Sequence, residues 1–196
     1  DGAGPARLPR PGAVPHLTDP TRLVSDERPQ TTASRTIRSV RIETDDPFRA
    51  DVQTLLDEHL ADMRATSPPQ SKHALDHGAL AAPDVTFWTV REDGVLLGCG
   101  ALKELDPRWG EIKSMRTTPR ARGRGVATSM LTHLLAEARR RGYRRLSLET
   151  GSQDYFAPAR RLYARHGFSE CGPFADYVPD PNSVYLTLEI DTAASR

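Results

Sequence analysis

Apolar residues recur along the chain with two different periods, and these periods predict where helices and strands lie. A spacing of three to four residues is typical of an amphipathic helix, whereas short apolar runs bounded by Gly, Pro or Asp are typical of strands. Asp46 followed by Pro47 favours a helix start, because an aspartate caps the first turn and proline suits the first helical position. Helices are predicted in this way over residues 47–67, 71–80, 126–141 and 157–166.

Short strands are predicted before, between and after these helices. Asp93-Gly94 is a hairpin signal and joins two of them, Val85–Arg91 and Val95–Leu102. The first strand of the chain is predicted to begin near Thr36. The remaining strands are predicted over Glu111–Thr117, Arg145–Glu149, Phe168–Cys171 and Val184–Ile190. The element order is β-α-α-β-β-β-α-β-α-β-β, which predicts an α/β domain built on a mixed sheet.

Prolines and apolar residues divide the chain into three regions. Residues 1–35 contain six prolines and no apolar periodicity, so we expect a disordered or extended tail there. Residues 36–190 hold every predicted element and form one domain, whose length suffices to bury a core without disulfides or metals. Residues 191–196 are predicted to be a short C-terminal tail.

Composition narrows the class of protein. The 196 residues include 27 Lys and Arg against 26 Asp and Glu, a balance that argues against a general nucleic-acid or membrane-surface protein. No apolar run reaches the roughly 18 residues needed to cross a bilayer. Cys99 and Cys171 lie far apart and form no CxxC pair, so we expect no metal site and no disulfide framework. These features predict a cytoplasmic protein.

The stretch Arg120-Ala-Arg-Gly-Arg-Gly125 carries the strongest chemical signal. It lies between a predicted strand and the helical pattern that starts at Val126. A helix N-terminus offers unpaired N–H groups and partial positive charge, and glycines let the preceding backbone wrap around an anion. Arg122 and Arg124 can add charge-assisted hydrogen bonds. The stretch is therefore predicted to bind a phosphate, and the alternative is a simple turn with solvated arginines.

Two common nucleotide-binding patterns fit this stretch poorly. In a Walker loop, the last glycine is followed directly by Lys and then by Ser or Thr. Here Gly125 is followed by Val126. A dinucleotide fingerprint needs a third glycine where Thr128 stands, and the chain after Glu149 is too short for the rest of a doubly wound sheet. Dinucleotide binding is therefore the weaker hypothesis.

Residues 120–125 match the R/Q-x-x-G-x-G/A signature of the GNAT acyltransferases, and the resemblance extends further. Residues 111–119 resemble the family's fourth strand and the turn after it, and residues 159–168 resemble its second conserved block. In the family's element order, the similarity covers residues 36–190. Further segments resemble the YsnE-like branch of the family, namely SPPQSKHALD, CGALKELD, EIKSMRT, LSLETGS and CGPFADYVPDPNSVY.

The resemblance implies a fold and a cosubstrate. The fold is a mixed, mostly antiparallel sheet with splayed central strands, flanked by helices, and the pantetheine arm of acetyl-coenzyme A (acetyl-CoA) lies in the gap. In this chain the arm is expected along Met115, Arg116 and Thr117, held chiefly by backbone atoms. The pyrophosphate is expected on the turn and the helix start, at Arg122, Gly123, Arg124, Gly125, Val126 and Ala127.

The resemblance also implies the chemistry. An amine attacks the thioester directly, and holding both reactants in one cleft supplies much of the rate. Tyr163 occupies the family position of the general acid. A phenol with a reference pKa of about 10 is suited to this role, because it can protonate the departing thiolate. Glu111 in the fourth strand and Glu149 in the fifth are alternative general bases, and each is equally compatible with a surface or ion-pairing role.

The acceptor pocket is expected between the link of the first two helices and the loop before the last strand. Ser67, His73, Asp176 and Tyr177 lie in those places. The predicted acceptor is the amine of a small molecule; the alternatives are a protein or peptide amine, and a non-catalytic acyl-CoA sensor. A homodimer is compatible with this prediction, and no nucleic-acid or membrane partner is expected. Phe156 stands where many relatives carry Asn, so a polar contact to pantetheine is expected to be lost or replaced by packing.

Overall fold

The computed structural model describes residues 40–66 and 77–191, which form strands and helices in the predicted order. The strands are β1 (Val40–Thr44), β2 (Val85–Glu92), β3 (Val95–Asp106), β4 (Trp109–Thr117), β5 (Arg145–Gly151), β6 (Ser169–Cys171) and β7 (Ser183–Glu189). The helices are α1 (Ala50–Thr66), α2 (His77–Leu80), α3 (Val126–Arg140) and α4 (Ala157–Arg165). The predicted tail over residues 1–35 and the predicted acceptor residues Ser67 and His73 lie outside the described residues. Among the described helices, none is long and apolar enough to cross a membrane.

The strands join one sheet in the order β1-β2-β3-β4-β5-β7-β6. Every neighbouring pair is antiparallel except β4 and β5, which run parallel. The parallel pair needs a crossover connection, which α3 supplies between the end of β4 and the start of β5. This arrangement confirms the mixed, mostly antiparallel sheet that the resemblance implied.

The parallel pair is joined only along its first half. Ile112 and Leu148 are the last residues that pair β4 with β5. Beyond them β4 continues along β3 as far as Thr117, and β5 continues along β7 as far as Gly151. The two strands therefore separate, which confirms the predicted splay and leaves a gap in the middle of the sheet.

Helices cover both faces of the sheet, and each face has its own apolar core. Leu96 and Leu97 show the division, because neighbouring residues of a strand point to opposite faces. Leu97 belongs to the larger core, which the apolar stripes of α3 and α4 complete. Leu96 belongs to the smaller core, which α1 and α2 complete. The smaller core contains Val52, Leu55, Leu56, Leu80, Phe87, Cys99 and Ala101.

Helix α1 begins later than the Asp46-Pro47 pair predicts. Asp46 does cap a turn, since its Oδ1 accepts a hydrogen bond from the Phe48 N–H at 2.8 Å. That turn precedes the helix, which starts at Ala50. The predicted start at Pro47 is therefore wrong, and Phe48 is 51% exposed instead of joining the core.

Candidate active site

A cleft of about 760 Å³ opens where β4 and β5 separate. Its walls are the two diverging strands, the start of α3 and one side each of α1 and α4. The predicted catalytic and cofactor residues that line it are Glu111, Glu149, Tyr163, Met115, Arg116, Thr117, Arg122, Gly123, Gly125, Val126 and Ala127. Residues that were predicted from separate sequence motifs therefore line one cleft.

The turn before α3 has the backbone shape of an anion site. Gly123 and Gly125 have φ values of +75° and +80°, in the left-handed region that favours glycine. A Cβ at either position would meet nothing within 4 Å, so backbone conformation and not crowding requires glycine there. Gly125 is the N-cap of α3, and in the described structure no side chain caps that helix. The first N–H groups of α3 are thus left to solvent or to a ligand.

The arginines of this turn point in different directions. Arg122 lines the cleft. Arg124 does not line the cleft, because its Nη2 donates to both carboxylate oxygens of Glu92 on β2, at 2.8 and 2.9 Å. The Arg120 side chain also turns away and donates from Nη2 to the carbonyl of Leu96 at 3.2 Å. Of the three arginines of this turn, Arg122 is therefore the one that lines the cleft.

A bulge changes the course of β4 inside the cleft. Ser114 has a φ of +52°, and the pairing of β4 with β3 shifts at the same level of the sheet. The Met115 side chain packs into the larger core, where a Cβ added to Gly100 would lie 3.3 Å from Met115 Cγ. Met115 thus borders the cleft while its side chain serves the core, as expected of a residue that binds through its backbone.

The Arg116 side chain joins three elements around the cleft. Its Nη1 donates to the Tyr155 hydroxyl at 3.0 Å, and its Nη2 donates to the Asp62 carboxylate on α1. The Tyr155 hydroxyl also donates to Asp62, at 2.7 Å. Burial acts against the charge of Arg116, but the hydrogen bonds to Asp62 and Tyr155 raise its pKa overall. This cluster links α1 and β4 with the turn that follows β5.

Tyr163 lies on α4 with its side chain buried against the cleft. Its ring packs edge-on against Phe168, with ring centroids 5.7 Å apart. Burial, and then the negative charge of Glu149, raise the pKa of the Tyr163 phenol well above its usual value. The phenol is therefore protonated at neutral pH and able to donate a proton.

Glu111 belongs to a buried polar triad. Its Oε1 accepts hydrogen bonds from Lys113 Nζ at 2.8 Å and from the Tyr177 hydroxyl at 2.6 Å. Lys113 Nζ also donates to the Tyr177 hydroxyl, at 2.7 Å, and lies 5.2 Å from the centre of the Tyr177 ring. Burial, and then the charge of Glu111, raise the pKa of Tyr177. The triad anchors the loop before β7 to β4.

Glu149 stands where β5 leaves β4, one residue after the last paired position. Its Oε1 accepts a hydrogen bond from the Ser183 hydroxyl at 2.6 Å. Its charge contributes to the raised pKa of Tyr163, Tyr177 and Tyr185. Glu149 therefore lies close to Tyr163 and Tyr177, two phenols that line the cleft.

Of the predicted acceptor residues, Tyr177 lines the cleft, whereas Asp176 is exposed and lies outside its lining. The residues that line the cleft and were not predicted as site residues include His59, Met63, Lys113 and Tyr155. His59 and Met63 continue the apolar stripe of α1, so their spacing alone cannot be told from that of core residues. Lys113 alternates with Glu111 on β4, which was a usable signal that the two share a face.

Phe156 closes the end of the gap beside β5. A Cβ added to Gly151 would lie 2.2 Å from Phe156 Cδ2, so the ring packs directly on the glycine backbone. Phe156 also lines the cleft. An apolar ring therefore borders the cleft at the position where, by the resemblance, many relatives carry asparagine.

Comparison with known proteins agrees with this geometry. The model of the acetyltransferase (GNAT) family matches residues 52–168. The uncharacterized N-acetyltransferase YsnE of Bacillus subtilis (strain 168) is 52% identical over 151 residues, which cover 77% of this chain and 100% of that protein. The uncharacterized N-acetyltransferase YedL of Escherichia coli (strain K12) is 50% identical over 149 residues, which cover 76% of this chain and 94% of that protein.

Solved structures show the same fold. A crystal structure from Klebsiella pneumoniae subsp. pneumoniae, of a protein assigned to the acyl-CoA N-acyltransferases, superposes with a TM-score of 0.63 and 29% sequence identity. The match covers 76% of this chain and 97% of that chain. The similarity therefore extends over nearly the whole of the Klebsiella protein chain.

Proposed function

Because the chain belongs to the GNAT acetyltransferase family, we propose that it transfers the acetyl group of acetyl-CoA directly to the amine of a small molecule. Membership of the family makes the protein an acyltransferase, and the acceptor class and residue roles are what the proposal adds. The observation that supports it best is the cleft at the strand split, where the glycine turn, Tyr163 and Glu149 meet.

The cosubstrate has two features that the cleft matches. Its pyrophosphate suits the uncapped amides at the start of α3 and the guanidinium of Arg122. Its pantetheine arm suits the edge of β4 beyond Ile112, where β5 no longer supplies hydrogen-bond partners. Acetyl-CoA would in this way bring its thioester to the strand split.

The reaction needs two proton transfers besides the bond changes at carbon. The amine nitrogen attacks the thioester carbonyl, a C–N bond forms and the C–S bond breaks. The nitrogen loses a proton to a base, and the departing sulfur gains one from Tyr163, which recovers it from solvent. The raised pKa of Tyr163 keeps its proton available, although the same shift makes the phenol a weaker acid.

Glu149 is the better candidate for the base of the two carboxylates. Glu111 Oε1 already accepts hydrogen bonds from Lys113 and Tyr177, so taking up a proton there would disturb a buried ion pair. Glu149 lies near enough to Tyr163 for its charge to raise the pKa of that phenol. The proposed base and acid thus lie close together in the cleft, and Glu111 has a structural role.

Calorimetry of acetyl-CoA binding tests the first half of this proposal. We expect micromolar binding of acetyl-CoA and none of NAD or ATP, and loss of binding in Gly125→Glu, which adds backbone strain and a negative charge at the phosphate site. Gly142→Glu is the matched control, because Gly142 has a φ of +77°, has no atom within 4 Å of an added Cβ and lies outside the cleft lining. Equal binding by wild type and Gly125→Glu would overturn the phosphate assignment.

A screen for free thiol tests the second half. Release of coenzyme A with small amines supports the proposal, and release with peptides alone would show a peptide acetyltransferase instead. Binding of acetyl-CoA without thiol release across both panels would identify a non-catalytic sensor. Each of these three results thus identifies a different function.

A further inference from the structure

One group of polar side chains in the cleft has no role in the proposed chemistry. His59 and Asp62 lie one turn apart on α1, and they meet Arg116 of β4 and Tyr155 of the turn after β5. His59, Arg116 and Tyr155 line the cleft. The group therefore forms one wall of the site.

One donor of Arg116 has no partner among the residues that the structure describes. Its side chain is only 9% exposed, and its two terminal nitrogens are occupied by Tyr155 and Asp62. Its Nε–H is buried and has no hydrogen-bond partner in the described structure. A buried charged donor that stays unsatisfied is costly, and such groups in native proteins call for an explanation, for which a bound ligand is one.

His59 adds a second polar group beside it. The imidazole lines the cleft, and no hydrogen bond joins it to another described residue. Burial, and then the positive charge of Arg116, lower its pKa to about 4, while the charge of Asp62 acts in the opposite sense. A neutral imidazole has one donor and one acceptor nitrogen, so the wall offers further hydrogen bonds beside the Arg116 Nε–H.

This wall faces the acceptor side of the cleft. Arg116 reaches to Asp62 on α1, and α1 packs on the face opposite to α3. The uncapped amides proposed for the pyrophosphate belong to α3. The unsatisfied Nε–H thus lies on the α1 side of the sheet, opposite to those amides. Hydrogen bonds from Tyr155 and Arg116 lower the pKa of Asp62, and the charge of Arg122 adds to this effect, so the group also lies near Arg122.

We propose that the acceptor carries, besides its amine, an oxygen group that accepts a hydrogen bond from Arg116 Nε beside His59. The oxygen belongs to a carboxylate or an amide carbonyl, and the inference rests on the proposed amine acetylation. The same group distinguishes such acceptors from simple amines, because a ligand without the oxygen leaves the buried donor unsatisfied.

Matched acceptors test the inference with the wild-type protein. Each set holds one amino acid, its carboxamide and the amine that remains when the carboxyl group is removed. We expect kcat/KM to be at least about 10-fold higher for the first two than for the third. Preference for the carboxylate over the amide would identify an anion as the ligand, and equal rates would identify the carbonyl oxygen. Both results support the proposal.

A variant then ties the preference to Arg116. Arg116→Lys keeps a cation for Asp62 but cannot reproduce the planar set of donors, so the ratio of kcat/KM for the oxygen-bearing acceptors to that for the simple amine should fall towards one. Arg91→Lys is the control, because Arg91 is also buried between two carboxylates, Asp45 and Asp51, but lies outside the cleft. It should lower stability without changing acceptor preference.

Three results would count against the inference, and they can be told apart. Equal kcat/KM for all three acceptors in wild type would overturn it and leave the proposed function intact. A rise in the KM of acetyl-CoA with every acceptor in Arg116→Lys would assign the oxygen to the cosubstrate and overturn it as well. No thiol release with any amine would instead contradict the proposed function itself.

Discussion

Lys113 and Glu149 are the first residues of β4 and β5 beyond the last paired positions, and both line the cleft. Residues at the same level of two parallel strands point to the same face of the sheet. Tyr177 lies close to both, since it accepts a hydrogen bond from Lys113 and the charge of Glu149 contributes to its raised pKa, after burial and the charge of Glu111. The split in the sheet therefore places opposite charges at the point where the two reactants are proposed to meet.

Replacing Glu149 by Gln tests its role as base. Glutamine keeps an oxygen that can accept from Ser183 but cannot take up a proton, so we expect kcat to fall about 100-fold or more with the fold intact. Activity of the variant should also rise with pH, as more of the amine acceptor arrives already deprotonated. Steady-state assays of thiol release over a range of pH measure both effects. An unchanged kcat would move the base to another group.

Tyr163→Phe tests the proposed acid. The hydroxyl has no hydrogen bond to another described residue, so its removal should leave stability nearly unchanged while kcat falls about 100-fold. Tyr143→Phe provides the opposite expectation, because that buried hydroxyl donates to Glu104 at 2.9 Å outside the cleft. It should lose about 1 kcal/mol of stability and keep its kcat. If both variants lost activity equally, catalysis by Tyr163 would have no support.

Glu111→Gln should affect stability more than chemistry. It removes the carboxylate that pairs with Lys113, whose side chain is 9% exposed, and leaves a buried charge without its partner. We expect a loss of about 3 kcal/mol in the free energy of unfolding, measured by urea denaturation. The double variant Glu111→Gln with Lys113→Met removes both charges and should recover part of that loss. A stable single variant with very low kcat would instead return Glu111 to the role of base.

The order of helices and strands could be predicted because each element carries a clear apolar period. The α3 pattern, for example, puts Met130, Leu134 and Ala138 on one buried side. The start of α1 was misplaced because a capping aspartate and a proline can also form a turn before a helix. Local signals thus identify an element better than they fix its first residue.

The members of the cleft were harder to predict where they depend on distant contacts. Arg122 and Arg124 are each followed by glycine and look equivalent in sequence, yet only the turn geometry sends one to the cleft and the other to Glu92. His59 follows the spacing of core residues on α1. It borders the cleft because the strands beneath that end of the helix have separated, which no local pattern of α1 reveals.

Stability at acidic pH should depend on Glu137 of α3. Hydrogen bonding to Arg140, partly offset by burial, and further bonding to Arg141 lower the pKa of Glu137 to about 2. A carboxyl group whose pKa is lowered by folding stabilises the fold at pH values above its pKa in the unfolded state, which is near 4.5. This contribution is lost as the pH falls towards the pKa of the folded state, about 2. Melting temperatures between pH 5 and pH 2 should therefore fall more steeply in wild type than in Glu137→Gln. Glu189→Gln, which removes an exposed partner of Arg145, should keep the wild-type slope, because an exposed pair contributes little. Equal slopes for wild type and Glu137→Gln would show that the ion pairs at the end of α3 do not contribute to acid stability.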